Sequence, residues 1–209
     1  MVKVKICGLF RIEDIAVVNA RKPDYIGFVF AESRRKVTPQ EAVELRALLD
    51  PAISAVGVFV DACIEQVVAI IESGAIDVIQ LHGSEDEAYI RKLKAQVKRP
   101  VIKAVSVERC GDVQKWAATM ADYLLLDHKG GGSGESFDWE LIGEVDKPFF
   151  LAGGLHARNV RRAIKQTRPF AVDVSSGVET DGLKDSEKIV EFISTICSAR
   201  DKVKRTPLL

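Results

Sequence analysis

Short apolar runs alternate with amphipathic segments along the whole of this 209-residue chain. The apolar runs are nearly unbroken, which is typical of strands in a parallel sheet that is covered on both faces. In the segments between them, apolar residues recur at the spacing of one face of an α-helix. The predicted strands are KVKICG, YIGFVF, SAVGVFV, DVIQLHG, PVIKAVSV, DYLLLDH, FFLAGGL and FAVDVSSG.

Local signals mark where several of the helices begin and end. Thr38 is a candidate N-cap, and Pro39 suits the first position of the helix that follows. Ser84 and Glu87 have the spacing of a capping box. Gly74 predicts the end of the helix before it. The segments GDVQKWAATM and DWELIGEV carry weaker helical patterns.

The order of elements gives eight strands and roughly eight helices, at a spacing of about 25 residues. Two α/β architectures fit this order, an open doubly wound sheet and a closed (β/α)8 barrel, also called a TIM barrel. Eight repeated units favour the barrel. We expect residues 1–209 to form a single domain, with residues beyond about 200 as a C-terminal tail.

Composition narrows the classes of function. The chain carries 30 basic and 30 acidic side chains, so no basic excess indicates a nucleic-acid or membrane surface. It contains no apolar run long enough to span a membrane, and we expect no signal peptide. The four cysteines lie far apart and form no CxxC pair. We therefore expect a cytoplasmic protein with reduced thiols and no zinc site.

Polar residues collect where the predicted strands end. In a (β/α)8 barrel these carboxyl ends form the active-site face, and a polar side chain within a buried strand needs a partner or a function. Cys7 lies on the same side of its strand as Lys5, and Asp127 on the same side as Leu125, so both can point to the barrel axis. The polar residues at these ends are Cys7, Gln80, His82, Asp127, Asp173, Ser175 and Ser176.

Three glycine-rich stretches occur in the second half of the chain, at 130–134, 152–155 and 175–177. The last two end the seventh and eighth strands, whose loops commonly bind phosphate through backbone N–H groups in barrels. Glycine lets the main chain approach an anion closely. We therefore predict a phosphate site at these two strand ends. Its residues are Gly153, Gly154, Ser175, Ser176 and Gly177.

Motifs distributed along the chain carry a family resemblance. They are KICGL, GFVF, SRRKVTP, VGVFVD, QLHG, IKAV, LLLD, GGSGESFDW, AGGL and RPFAVDVSSGVE. In this order along the chain, as far as about residue 179, they resemble the phosphoribosylanthranilate isomerase family of tryptophan biosynthesis. The resemblance implies a single barrel without cofactor or metal. It also implies an Amadori rearrangement of N-(5-phosphoribosyl)anthranilate to 1-(2-carboxyphenylamino)-1-deoxyribulose 5-phosphate.

By this resemblance Cys7 is the general base and Asp127 the general acid. The family's arginine for the anthranilate carboxylate is best matched by Arg35, with Arg34 adjacent. An acid at position 127 needs a raised pKa to hold its proton. A free cysteine has a pKa near ~8.5, and Lys5, on the same side of the strand, could favour the thiolate. The expected partner is a small phosphosugar substrate, bound by a monomer or a homodimer.

Three other functions stay open on the sequence alone. The histidine-pathway isomerase uses paired aspartates, one of which would replace Cys7. Indoleglycerol-phosphate synthase needs catalytic lysines and an N-terminal extension, which we do not expect in this protein. A non-catalytic phosphosugar sensor would be expected to lose the acid–base pair. Roles are left open for Gln80, His82, His128 and Asp173.

Overall fold

A computed structural model describes residues 1–128 and 138–203 of the chain, with side chains described through residue 197. Its centre is a closed barrel of eight strands, each parallel to both of its neighbours. The predicted (β/α)8 barrel is therefore confirmed, and the open sheet is wrong. The strands are β1 Lys3–Cys7, β2 Tyr25–Val29, β3 Ser54–Phe59, β4 Val78–Leu81, β5 Val101–Ser106, β6 Tyr123–Asp127, β7 Phe149–Leu151 and β8 Ala171–Val174.

Six α-helices lie outside the barrel in the part of the chain that the structure describes, against a prediction of roughly eight. The two weak helical segments instead form short 3-10 helices, at Gln114–Trp116 and Trp139–Ile142. A third follows β8 at Ser176–Val178, before a two-stranded antiparallel hairpin of β9 Glu179–Thr180 and β10 Leu183–Lys184. The α-helices are α1 Ile12–Arg21, α2 Pro39–Leu48, α3 Ile64–Glu72, α4 Glu87–Gln96, α5 Val160–Thr167 and α6 Ser186–Val203.

The helix starts follow the sequence signals in one case and depart from them in another. Thr38 caps α2, where its hydroxyl accepts from the backbone N–H of Glu41. Ser84 does not cap α4, so that prediction is wrong: its hydroxyl donates to Asp61 at 2.8 Å. Asp86 caps α4 instead, accepting from the N–H of Tyr89 at 2.8 Å.

Two apolar layers hold the barrel, and alternation along each strand assigns residues to one or the other. Val4 and Ile6 of β1 pack outward against the helices. Phe150 lies inside the barrel, with the rings of Tyr25, Tyr123 and Phe170 centred 5.4 to 5.7 Å from its own. Tyr25 and Tyr123 begin their strands, and Phe170 directly precedes β8. Aromatic packing therefore fills the amino-terminal end of the barrel and leaves the polar site to the opposite end.

Neither a membrane span nor a metal cluster is found in the described part of the chain. No helix there is both long and apolar enough to cross a bilayer. Nor do three or more His, Cys, Asp or Glu side chains come together there in a way that could hold a metal ion.

The packing of aromatic rings around Phe150 gives a stability prediction. Phe150 is 1% exposed, so Phe150→Ala leaves a cavity and should lower the free energy of unfolding by about 3–5 kcal/mol. Urea denaturation followed by circular dichroism measures this. Leu48→Ala is the control, because Leu48 is 51% exposed and its truncation should change stability by less than about 0.5 kcal/mol. Equal effects in the two variants would contradict the packing described.

Candidate active site

One pocket at the carboxyl ends of the strands contains every site residue predicted from the sequence. It has a volume of about 230 Å³ and is lined from β1 and β2 round to the β7 and β8 loops. Arg34 and His128 are not among its lining residues. The predicted residues that line it are Cys7, Asp127, Arg35, Gly153, Gly154, Ser175, Ser176 and Gly177, joined by Gln80, His82 and Asp173.

Cys7 ends β1, and two glycines make room for its thiol and for the turn that follows. A Cβ at Gly27 on β2 would lie 2.7 Å from the Cys7 sulfur. Gly8 has a φ of +79°, a conformation that glycine adopts without strain. The N–H groups of Gly8 and Leu9 both donate to the carbonyl of Gly27. The strand therefore ends on a cysteine and a glycine because the chain turns there directly above a buried thiol.

A buried ion pair lies next to Cys7. Lys5 is 0% exposed, and its Nζ is 2.9 Å from Oδ2 of Asp173. Burial alone would lower the pKa of Lys5, but the charges of Asp173 and Cys7 outweigh it and raise that pKa. Burial raises the pKa of the Cys7 thiol, and Lys5 opposes this increase without cancelling it. Lys5 therefore favours the thiolate, as predicted, yet the thiol remains the dominant form without substrate.

Asp127 ends β6 and has the properties of an acid. Burial raises the pKa of this carboxyl to about 6, against the opposing hydrogen bond from the N–H of His128. Its Oδ2 lies 3.8 Å from Nε2 of His82. Gln80 Nε2 lies 3.0 Å from the other ring nitrogen, His82 Nδ1. Burial also lowers the pKa of His82, so a neutral imidazole stands beside Asp127.

Arg35 reaches the pocket across the first strand end. Its Cδ lies 2.4 Å from the point where a Cβ on Gly8 would sit, so any larger residue at position 8 would displace the arginine. The guanidinium is bidentate with Glu179, at 2.7 Å from Nε and 2.8 Å from Nη2. Arg34 also contacts Glu179, at 2.7 Å, but its side chain is 58% exposed.

The β7 and β8 loops pack against each other where the phosphate site is predicted. Gly153 and Gly154 have φ values of +79° and +59°. A Cβ at Gly177 would lie only 1.9 Å from the carbonyl oxygen of Leu155, so this close approach requires glycine. Ser175 donates from Oγ to the Cys7 carbonyl at 3.0 Å. The remaining glycine-rich stretch predicted from the sequence, 130–134, falls outside the described residues.

Sequence reasoning missed Glu179 and Lys184, which form a buried ion pair beside the pocket at 2.6 Å. Glu179 is the last residue of the motif RPFAVDVSSGVE, so the sequence does indicate a carboxylate soon after the eighth strand. Its three basic partners come from distant or unpredicted elements and could not be assigned from spacing.

Comparison with known proteins decides the family. A family model described as N-(5'phosphoribosyl)anthranilate (PRA) isomerase matches residues 4–195. The chain belongs to the phosphoribosylanthranilate isomerase family. The family resemblance predicted from the motifs is therefore confirmed, and it decides against the histidine-pathway isomerase and indoleglycerol-phosphate synthase.

Named relatives in the phosphoribosylanthranilate isomerase family match over nearly their full length. The N-(5'-phosphoribosyl)anthranilate isomerase of Endomicrobium trichonymphae is 50% identical, covering 95% of this chain and 100% of that protein. That of Clostridium acetobutylicum is 48% identical, covering 94% and 98%.

Solved structures of the family have the same barrel. The phosphoribosyl anthranilate isomerase of Thermus thermophilus superposes with a TM-score of 0.87 at 34% identity, covering 95% of this chain and 100% of that one. A second structure, in complex with reduced 1-(o-carboxyphenylamino)-1-deoxyribulose 5-phosphate, has a TM-score of 0.83 at 36% identity, with coverage of 95% and 100%. A third, from Thermotoga maritima, is described as monomers generated from a dimeric enzyme; its TM-score is 0.83 at 37% identity, with the same coverage.

The raised pKa of Asp127 predicts a pH-dependent stability difference. The folded carboxyl has a pKa of about 6 against an ordinary value of 3.8, so the folded state is penalised once Asp127 ionises. The penalty is absent below pH ~4, grows as the pH rises from there through about 6, and is constant at higher pH. Asp127→Asn should therefore be more stable than wild type at pH 8, by up to about 3 kcal/mol, with the difference shrinking toward pH 4.

Denaturant unfolding of both proteins at several pH values measures that difference. Asp146→Asn is the control for the substitution itself, because Asp146 is exposed and lies outside the pocket. A wild-type advantage at pH 8 would mean that Asp127 is stabilised as a carboxylate.

Proposed function

We propose that this chain catalyses the Amadori rearrangement of N-(5'-phosphoribosyl)anthranilate to 1-(2-carboxyphenylamino)-1-deoxyribulose 5-phosphate in tryptophan biosynthesis. The observation that carries the proposal is that a thiol, Cys7, and a carboxyl with a pKa of about 6, Asp127, line one pocket. The same pocket is lined by Arg35 and by the β7 and β8 loops. Acid, base, carboxylate site and phosphate site are all needed for this substrate.

Asp127 acts first, as the general acid. The sugar enters as a closed furanose, and its C1–O bond must break while the nitrogen lone pair forms a C1=N bond. Asp127 gives its proton to the departing ring oxygen and becomes a carboxylate. A pKa of about 6 leaves a useful fraction protonated near neutral pH, whereas an ordinary aspartate would be almost fully ionised.

Cys7 acts second, as the general base. The iminium ion acidifies the proton on C2, and the thiolate removes it; the C–H electrons form C1=C2, and the C=N electrons return to nitrogen. The enolamine then gives the ketone by losing its hydroxyl proton and gaining a proton at C1. Two positive charges favour the thiolate at this step, the ammonium of Lys5 and the iminium of the substrate.

Binding divides between the two ends of the substrate. Arg35 receives the anthranilate carboxylate, because a guanidinium retains donors beyond those given to Glu179. Backbone N–H groups around Gly153, Gly154 and Ser175–Gly177 receive the phosphate. The same proposal includes a cytoplasmic location, no nucleic-acid partner and a monomeric or homodimeric state. Composition supports it, and the dimeric relative from Thermotoga maritima supports the homodimer.

Removing either reacting group tests the proposal. Cys7→Ala and Asp127→Asn should each lower kcat by about 10²- to 10⁴-fold, with native circular dichroism retained. The assay is loss of anthranilate fluorescence as substrate is consumed. Cys63→Ala is the matched control, because Cys63 is an exposed free cysteine outside the pocket, and it should keep wild-type turnover. Full activity in purified Cys7→Ala would refute the mechanism.

A further inference from the structure

Three basic side chains converge on one carboxylate beside the pocket. Glu179 Oε1 lies 2.7 Å from Nε of Arg35 and 2.6 Å from Nζ of Lys184. Its Oε2 accepts from Arg34 at 2.7 Å and from Nη2 of Arg35 at 2.8 Å. The Glu179 side chain is 4% exposed and that of Lys184 is 1% exposed. Burial of the Glu179 carboxylate is tolerable because it is paired with basic side chains and both of its oxygens accept hydrogen bonds.

The same cluster is joined to the phosphate side of the pocket. Lys184 donates to the carbonyl of Ser175 at 2.9 Å and contacts its Oγ at 3.2 Å. Glu179 and Lys184 face each other across the β9–β10 hairpin, whose turn has Asp181 and Gly182 at φ of +51° and +81°. A short chain of contacts therefore runs from Arg35 through Glu179 and Lys184 to Ser175.

The geometry of Arg35 leaves part of its guanidinium available. Glu179 takes the side formed by Nε and Nη2. Within the described residues no hydrogen bond engages Nη1. An arginine has five N–H donors in a planar fork, so the edge formed by Nη1 and Nη2 can still bind a second carboxylate in bidentate fashion.

The net charge of the Glu179 cluster also favours an anionic ligand. Arg34, Arg35 and Lys184 supply three positive charges against the single negative charge of Glu179, so the cluster retains an excess of two. The nearby Lys5–Asp173 pair adds no net charge. A ligand that carries both a carboxylate and a phosphate would compensate this excess.

We propose that Glu179 is a positioning residue that sets specificity for the carboxylate of the substrate. Glu179 binds the Nε side of the Arg35 guanidinium, so that the edge formed by Nη1 and Nη2 receives the aromatic carboxylate. Through Lys184, Glu179 also fixes the position of this edge relative to Ser175 of the phosphate site. This proposal rests on the carboxylate-binding role given to Arg35 above. Under this proposal the Glu179 cluster sets the distance between the carboxylate site and the phosphate site, and so selects ligands with that separation between their two anionic groups.

The test compares two ligands that differ only in the carboxyl group. One is reduced 1-(2-carboxyphenylamino)-1-deoxyribulose 5-phosphate, and the other is its phenylamino counterpart without the carboxyl. Isothermal titration calorimetry gives both Kd values, and their ratio measures carboxylate recognition. Wild type should prefer the first ligand strongly, Arg35→Ala should lose the preference, and Glu179→Gln should reduce it at least tenfold while binding the second ligand within about threefold of wild type.

A matched control separates positioning from stability. Glu85 is also a buried glutamate paired with a lysine, Lys103, at 2.8 Å, but it does not contact Arg35. Glu85→Gln should keep the wild-type ratio even if its melting temperature falls. The double variant Arg35→Ala/Glu179→Gln should show no loss of ratio beyond Arg35→Ala alone, because Glu179 acts through Arg35.

Each outcome has a distinct meaning. If Arg35→Ala loses the preference and Glu179→Gln keeps it, the positioning role is refuted and the proposed function stands. If Arg35→Ala keeps the preference, the role of Arg35 in the proposed function is refuted, and the role of Glu179 with it. If Glu179→Gln does not fold, Glu179→Asp replaces it; the shorter carboxylate should also lower the ratio, and an unchanged ratio would refute the proposal.

Discussion

The buried ion pair between Lys5 and Asp173 is the interaction on which the site depends. The two residues are register partners on the neighbouring strands β1 and β8, and their side chains meet inside the barrel at 2.9 Å. Loss of one partner would leave a buried charge unpaired, at a typical cost of about 3–5 kcal/mol. Two residues further along lie Cys7, which ends β1, and Ser175, which directly follows β8. One pair therefore fixes the strand register, places a cation beside the thiol and brings the predicted phosphate loop next to it.

Apolar and polar groups lie at opposite ends of the barrel. Its amino-terminal end is filled by aromatic rings around Phe150, and the pocket with the reacting groups lies at the carboxyl end. At the carboxyl end, burial acts on the two reacting groups in the same direction and raises the pKa of both Cys7 and Asp127. For the acid this is useful at once. For the base it lowers the fraction of thiolate. Lys5 opposes this increase in the Cys7 pKa, and a cationic intermediate would oppose it further.

The sequence predicted those features that depend on alternation along a strand. Apolar runs identified the eight strands of the barrel, and the parity of Cys7 with Lys5 identified the thiol as inward-facing. Features that depend on competition between partners were not predictable: Ser84 has the spacing of a cap, but Asp61 takes its hydroxyl. The Glu179 cluster was missed because Arg34 and Arg35 meet Glu179 only in the closed barrel. Lys184 meets it across a hairpin that the apolar pattern did not predict.

The most direct test of this account is the pH dependence of Cys7 alkylation by iodoacetamide, measured in a background with Cys63, Cys110 and Cys197 replaced by serine. We expect a midpoint above that of an ordinary cysteine in the otherwise unchanged protein. Lys5→Met should move the midpoint higher and Asp173→Asn should move it lower, because the first removes the positive charge and the second the opposing negative charge. Identical midpoints in all three proteins would contradict the claim that this ion pair governs the thiol.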